Sequence, residues 1–414
     1  MGGFLDDRQV PVKPATATST ATVSCAEEKY DSMTLPKLLI VVNDIPFFLS
    51  HRMPLAMAAL AQGYEVAVAA PGHQAAAQIE QAGITFFDVP MPRNRGTLTR
   101  EIRAVGTLYR VLSRFRPDVV HLVTAKPVIF GGLLCRFRRV PVLAAISGLG
   151  HVFADKGIKS RMARMGLLLG YRLSLKRRDT LAIFQNAANL ATFQAAGIVS
   201  DRFVMIRGSG VNLADFDPTP PANGLPVVLL PARMIWTKGI GEFVEAARIL
   251  RARGSGARFV LAGHNDPGNP ASIDDSQLNA WNEEGVVEWI GYHADIAGLL
   301  RTTDLVVLPS YYPEGLPKTI VDAAAAGRAV VTTDVPGCRD AIVDGQTGLL
   351  CRARDAEDLA EKIEALLEDP ARRLDMGRRA RAFAEREYDI ENVVKIHLDC
   401  YGNLIGQSAS KSDE

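Results

Sequence analysis

Residues 305–334, LVVLPSYYPEGLPKTIVDAAAAGRAVVTTD, hold two short apolar runs separated by a turn-rich loop and a stretch of helix formers. LVVLPS and AVVTTD have the length and composition of buried strands, and residues 319–327 read as a helix. A strand, a covering helix and a second strand in succession make a crossover, which lays the two strands parallel. The loop carries one carboxylate, Glu314, and the helix a second, Asp322. Acids this close repel unless they hold something between them, so the fold and the site question arise from one segment.

The same alternation continues in both directions. Upstream stand the strand VVLLPARM, the helix GEFVEAARILRARG, the strands RFVLAG and VVEWIG, and the helix DIAGLLRTT. Further back, KLLIVVND, VAVAAP, ITFFDVP and DVVHLVT read as strands, alternating with RMPLAMAALAQGYE and TREIRAVGTLYRVLSRF as helices. The stretch VMIRGSGVNLADFDPTPPANGLP between the two series is rich in Gly and Pro and reads as a linker. The chain is therefore expected to be α/β, with two doubly wound, Rossmann-like domains at 36–205 and 206–385 facing a central cleft. A tail at 1–35 is too poor in apolar residues to be expected to order. A C-terminal helix and tail at 386–414 are expected to pack back on the first domain. In such sheets ligands sit beyond the carboxyl ends of the strands.

Composition narrows the class. The 414 residues are 48% hydrophobic and 22% charged, as in soluble globular proteins. No apolar run reaches the roughly 18 residues a membrane span needs. The longest, 162–175, is broken by Arg164 and Arg172. The first residues lack the basic and apolar regions of a secretory signal. Five scattered cysteines (Cys25, Cys135, Cys338, Cys351, Cys400) have no metal-like spacing, and their odd number argues against a disulfide framework. A cytoplasmic protein is expected. The net charge of +1 conceals an asymmetry: residues 36–205 hold 22 basic and 9 acidic side chains, a net +13, whereas 206–414 hold 22 and 32, a net −10. A basic first half implies an anionic partner, either a phosphorylated ligand, nucleic acid or an anionic membrane face. No aromatic platform or recognition motif supports nucleic acid.

The strand-end loops carry the chemistry. In PARMIWTKGI, Arg233 and Lys238 lie just past a strand with Gly239 at the next helix start, a set of donors that suits a diphosphate. LAGHND carries Gly263, where backbone approaches closely, and His264, which reads as structural. GYHAD carries Tyr292 and ends on Asp295, a plausible N-cap. Gly315 and Pro317 keep the opening loop turned, so the amides of Gly315, Leu316, Lys318 and Thr319 gather at a helix N-terminus, an anion or sugar-hydroxyl site. Glu314 and Asp322 suit vicinal hydroxyls, with a hexose at one end and a ribose at the other. Asp215 and Asp217 spell D-x-D but fall in the linker, where they read as solvated loop acids.

The run PSYYPEGLPKTIVDAAAAGRAVVTTDVPGCRDAIVDGQTGLL resembles the signature region of retaining, family-four glycosyltransferases of GT-B fold. PARMIWTKG resembles their Arg…Lys diphosphate pair, and LLEDPARRLDMGRRARAFAEREYDIENVV their C-terminal helices. VVNDIPFFLSHRMPLA and ISGLGHVF resemble bacterial members that extend undecaprenyl-diphosphate-linked sugars. The resemblance implies a nucleotide-sugar donor, UDP-linked, with Arg233 and Lys238 stabilising the leaving diphosphate and Glu314 on the donor hexose. It places Gly263, Tyr292 and residues 315–319 around the donor, and Asp322, where relatives carry Glu, on the ribose. Relatives have His-x-His after the fourth strand; here His121 is followed by Val123. Asn43, His51, Arg52, Lys126 and His151 are the acceptor-side candidates. The resemblance implies no enzyme nucleophile, no metal and no cofactor. Two rivals share the plan, a sugar-nucleotide epimerase and a non-catalytic nucleotide-sugar-binding protein.

One segment remains. Residues 155–179, DKGIKSRMARMGLLLGYRLSLKRRD, pack eight basic residues, Lys176, Arg177 and Arg178 among them, around Met and Leu. A basic amphipathic helix reads as a membrane-surface element, which places the protein at the inner face of the cell membrane.

Overall fold

The computed structural model of the chain describes residues 35–73, 75–91, 97–148, 157–221 and 224–409. Residues 1–34 of the expected tail at 1–35, and His151, lie outside the described residues. The first half holds strands β1 (Lys37–Val41), β2 (Glu65–Ala70), β3 (Thr85–Asp88), β4 (Val119–Val123), β5 (Val142–Ile146), β6 (Thr180–Phe184) and β7 (Phe203–Met205). They form one parallel sheet in the order β3-β2-β1-β4-β5-β6-β7. Its helices are α1 (Ile45–His51), α2 (Met53–Ala61), α3 (Ala76–Gln81), α4 (Leu98–Phe115), α5 (Gly132–Arg138), α6 (Ile158–Leu175) and α7 (Ala187–Ala195).

The second half repeats the plan. Strands β8 (Val227–Pro231), β9 (Arg258–Ala262), β10 (Glu288–Trp289), β11 (Leu305–Leu308), β12 (Ala329–Thr333) and β13 (Gly348–Cys351) run parallel in the order β10-β9-β8-β11-β12-β13. Helices α8 (Ile240–Ala252), α9 (Asp275–Glu283), α10 (Ile296–Arg301), α11 (Lys318–Ala325), α12 (Ala356–Leu367), α13 (Pro370–Glu387) and α14 (Ile390–Ala409) complete it. Every residue of β4, β5, β11 and β12 is buried, which is why these strands read as continuous apolar runs rather than as alternating ones. In each sheet the strand order reverses beside the first strand, between β1 and β4 and between β8 and β11. Those two switch points open the crevices where ligands bind in such folds.

The chain crosses between the halves twice. Val211 N donates to Tyr388 O at 2.8 Å and Ile390 N to Val211 O at 3.1 Å, so the outgoing and returning crossings are pinned together. Beyond the return, α14 buries Val393, Cys400, Tyr401 and Leu404 in one core with Leu38, Ile40 and Ile183 of the first sheet. Among the described residues no helix is long and apolar enough to cross a membrane, and the four described cysteines are buried free thiols. Burial pushes the Cys135 and Cys338 thiols up to about 12, so neither is a ready nucleophile.

Two local readings change. The segment read as a single helix at 52–65 is α2, preceded by the separate α1 and closed by Gly63 at φ +83°. VVEWIG supplies only the two-residue edge strand β10.

Candidate functional site

The site begins where β8 ends. The chain turns at Gly239, φ +77°, into α8, and a Cβ there would drive into the Pro309 carbonyl. Only glycine lets the loops after β8 and β11 touch backbone to backbone. That approach brings Lys238 Nζ to 2.6 Å from Glu314 Oε1, with side chains only 16% and 17% exposed. Ser310 Oγ lies 2.9 Å from the same carboxylate oxygen. Gly263, after β9, is likewise obligatory, since a Cβ would strike the Ala232 carbonyl. Arg233 reaches across this contact to pair with Asp266. It is therefore no freely solvated loop cation. Tyr292, after β10, stands exposed and edge-on to His264 at 5.4 Å between ring centres, and Asp295 caps α10 through Gly298 N at 2.7 Å.

The 314–322 segment is more committed than its sequence implies. Leu316 N donates to Gln185 Oε1 at 3.1 Å, so this amide is not open to a donor. Thr319 Oγ1 donates to Pro231 O at 2.8 Å, tying the start of α11 to the end of β8. Pro317 occupies the N-cap of α11 and is buried. Lys318 Nζ sits 2.6 Å from Asp322 Oδ1. Asp322 is 6% exposed, not the solvent-facing residue its helix position allows. Burial raises its carboxyl above the ordinary range, against the pull of Lys318.

On the first-half side, Asn43 follows β1 and accepts from Thr124 Oγ1 at 2.9 Å. Thr124 follows β4 in the left-handed region, φ +73°, a conformation that costs a β-branched residue energy and marks a constrained loop. Two residues on, Lys126 Nζ meets Glu101 Oε1 at 2.6 Å, so this cation already carries an acid. His51 stacks on Phe47 at 4.3 Å, with Nδ1 2.7 Å from Ser50 Oγ. Burial, with Arg52 and Lys318 nearby, lowers its pKa to about 3. Arg52 belongs elsewhere: it is 2% exposed and donates to His51 O and to Ser209 Oγ at 3.1 Å on the outgoing crossing. Its guanidinium faces the crossing rather than open solvent. His121 is buried with Nδ1 2.7 Å from the Tyr401 hydroxyl, and makes a core contact. Asp215 and Asp217 serve their own turns, Asp215 accepting from Asn212 Nδ2 at 2.8 Å and Asp217 from Thr219 N at 2.9 Å. Among the described residues no cluster of three metal-type ligands occurs.

Four residues escaped the sequence reading: Gln185, Asn186, Ser310 and Asp266. Asn186 had a signal, an N-cap residue directly after the apolar run that forms β6. Gln185 and Asp266 are defined by partners far along the chain, and Ser310 by the Glu314 carboxylate within its own loop.

Two parallel α/β sheets in tandem, with cations and a carboxylate gathered at the strand-end loops of the second, have the architecture of the GT-B fold. The Rickettsia africae glycosyltransferase superposes at TM-score 0.73 and 18% identity, over 90% of this chain and 99% of that one. Anabaena HepE, crystallised with UDP and glucose, superposes at 0.72 and 18%, over 88% and 98%. These likenesses are of fold. The "Glycosyl transferase 4-like" family profile matches residues 37–186, and "Glycosyl transferases group 1" matches 213–383. The Campylobacter jejuni N,N'-diacetylbacillosaminyl-diphospho-undecaprenol α-1,3-N-acetylgalactosaminyltransferase is 30% identical over 380 residues, 86% of this chain and 98% of that protein. The chain belongs to the family-four glycosyltransferases, and it is a glycosyltransferase. The epimerase and non-catalytic readings are not favoured.

Proposed function

We propose that the protein moves a hexose or N-acetylhexosamine from a UDP-sugar to a polyprenyl-diphosphate-linked saccharide, with retention, in assembly of a surface polysaccharide or glycan. The observation that carries this reading is the full-length likeness to the Campylobacter jejuni enzyme, whose name specifies a diphospho-undecaprenol acceptor. The site has the matching charge. Arg233 exchanges Asp266 for phosphate oxygens, and Lys238 faces the bridging oxygen on which charge grows as the sugar–phosphate bond breaks. The acceptor hydroxyl bonds to the anomeric carbon from the face the diphosphate leaves, and its proton passes to the departing phosphate. Glu314 holds the donor hexose and Asp322 serves the ribose side. Two protein cations fill the place of a metal, so a chelator is expected to leave the rate intact.

The acceptor's lipid requires a membrane-facing surface, and α6 supplies one. Met162, Met165, Leu169 and Leu173 are exposed in a single stripe, flanked by exposed Arg161, Arg172 and Lys176. Arg136 of α5 donates to Leu173 O at 3.1 Å, and the residue after it, Phe137, is also exposed. Apolar side chains among basic ones hold a helix in the plane of an anionic leaflet. Incubation with UDP-, GDP- and ADP-sugars and polyprenyl-diphosphate-linked acceptors, read by product mass and anomeric NMR, tests the whole reading. One retained sugar added from a UDP donor is expected; an inverted product, or addition only to soluble acceptors, overturns it.

A further inference from the structure

The Glu314 loop belongs to the second half by sequence but is held by the first. β6 ends at Phe184, and the next two residues, Gln185 and Asn186, are both buried. Asn186 Oδ1 accepts from Asn189 N at 2.8 Å and so caps α7, which fixes the side-chain amide in one orientation. Its Nδ2 donates to two successive carbonyls, Glu314 O at 3.1 Å and Gly315 O at 2.9 Å. Gln185 Oε1 takes the next amide, Leu316 N. Three hydrogen bonds from two first-half side chains thus grip the backbone at Glu314 and the two residues after it.

There is no slack around this grip. A Cβ on Gly315 would drive into the Ser147 carbonyl and the Gln185 amide oxygen. On the opposite side a Cβ on Gly337 would lie 2.6 Å from Glu314 O, and Glu314 N donates to Pro336 O at 3.0 Å. The loop is one backbone thick, clamped between the ends of β5 and β6 and the turn after β12.

We propose that Gln185 and Asn186 are positioning residues that act through Glu314. They hold the Glu314 backbone where its carboxylate can face the donor hexose once the diphosphate has taken Lys238. They do so only when the first half closes on the second, which makes transfer conditional on the acceptor domain being in place. This rests on the transferase reading above. Opening the cleft strips all three hydrogen bonds at once. It leaves the Glu314 loop held in its own domain by Pro336 O on its backbone and by Lys238 and Ser310 on its carboxylate, contacts that do not fix the backbone at Gly315 and Leu316. Lys238 stays anchored through Gly239 and Pro309, so the diphosphate site persists when the carboxylate loses register. A donor then binds in the open form but is not activated there, which protects it from water until the acceptor domain arrives.

The test uses Asn186→Ser, which retains a helix-capping oxygen but loses both donations, and Gln185→Leu, which retains shape but loses the acceptor. Thermal midpoint, UDP affinity by calorimetry, kcat, donor KM and ligand-free small-angle scattering are measured on each and on the pair. UDP affinity and donor KM should stay within about threefold of the parent while kcat falls about tenfold or more, and the double variant should lose little beyond the worse single. The radius of gyration should rise in every variant. Parental kcat in Asn186→Ser overturns the proposal, as does a loss of UDP affinity equal to the loss of kcat. If the parent itself transfers no sugar, the function proposed above fails. The latch is then decided by scattering, where an unchanged radius in both variants overturns it.

Discussion

The two halves share a strand plan and treat charge in opposite ways. Around the strand-end loops of the second half, cations are paired with acids and at least partly covered: Lys238 with Glu314, Arg233 with Asp266, Lys318 with Asp322. On the first half, Arg161, Arg172 and Lys176 stand exposed beside an exposed apolar stripe. Under the proposed function, the donor's diphosphate is a small anion that must enter and leave, and it would meet preorganised cations whose resident carboxylates it displaces. Under the same proposal, a membrane would be met by charges that stay hydrated until they arrive. The same residue types answer two different problems through their degree of burial.

The sharpest break of this comparison lies where the halves meet. Gly315→Ala puts a methyl into the Ser147 carbonyl, and backbone stands on both sides of the clash. The halves must part for the methyl to fit. Transfer should fall about a hundredfold, ~2.7 kcal/mol of barrier, with UDP binding retained. Near-parental turnover would mean that the contact is not needed for reaction. Next come the internal pairs. Lys238→Ala and Glu314→Gln should each lower turnover about tenfold or more, ~1.4 kcal/mol. UDP affinity separates them: Lys238→Ala should weaken it, while Glu314→Gln, which frees Lys238 of its resident acid, should hold or strengthen it. Weakened UDP binding in Glu314→Gln would argue against displacement of one anion by another.

The fold was legible because parallel strands buried on both faces write themselves as apolar runs, and glycines such as Gly239 and Gly263 punctuate the loops between them. Lys238 and Glu314 were legible because each stands in a short loop between a strand and a helix start. What escaped depends on distance along the chain. Gln185 and Leu316 are 131 residues apart, and no local pattern links them. Arg233 reads as a free cation until Asp266, on another loop, pairs with it. Arg52 stands among the acceptor-side candidates, yet it is buried and donates to Ser209 on the crossing, 157 residues away. Asp322 sits where a helix of this length can face solvent, but Ile320, Val321, Ala323 and Ala324 beside it are all packed in the core, and it goes in with them.

The membrane side yields a smaller, graded effect. Arg161→Gln, Arg172→Gln and Lys176→Gln should each weaken sedimentation with anionic vesicles about fivefold, ~1 kcal/mol per charge, and less at high salt. Arg177 and Arg178 do not behave alike, although the sequence sets them side by side. Arg177 is paired with Asp179, donates to Val140 O at 3.0 Å and is largely buried, so reversing it should lower thermal stability. Arg178 is exposed, and its loss should resemble that of Lys176. Equal binding to neutral and anionic vesicles would remove the membrane from the comparison.

The smallest effect tests whether α14, the end of the second half's chain, has become part of the first. His397 on α14 is buried with its ring 5.4 Å from that of His121 on β4, and its Nδ1 lies 2.7 Å from Val393 O. Burial, with the Arg52 guanidinium nearby, lowers its pKa from 6.5 to about 3. The folded protein therefore keeps this ring neutral while the unfolded chain takes up a proton below pH 6.5. Stability from His397 is fully present above pH 6.5 and declines as pH falls towards 3. At pH 6 the loss is on the order of 1 kcal/mol, and it steepens below that. Carboxylates and His121 titrate over an overlapping range, so the readout is a difference. His397→Phe, similar in volume and unable to ionise, should lose that much less stability than the parent between pH 7.5 and 6 in urea unfolding. Parallel pH profiles for parent and variant would show that the ring is not held neutral by the first-half core, and that α14 is not packed as tightly against β4 as the 5.4 Å ring contact requires.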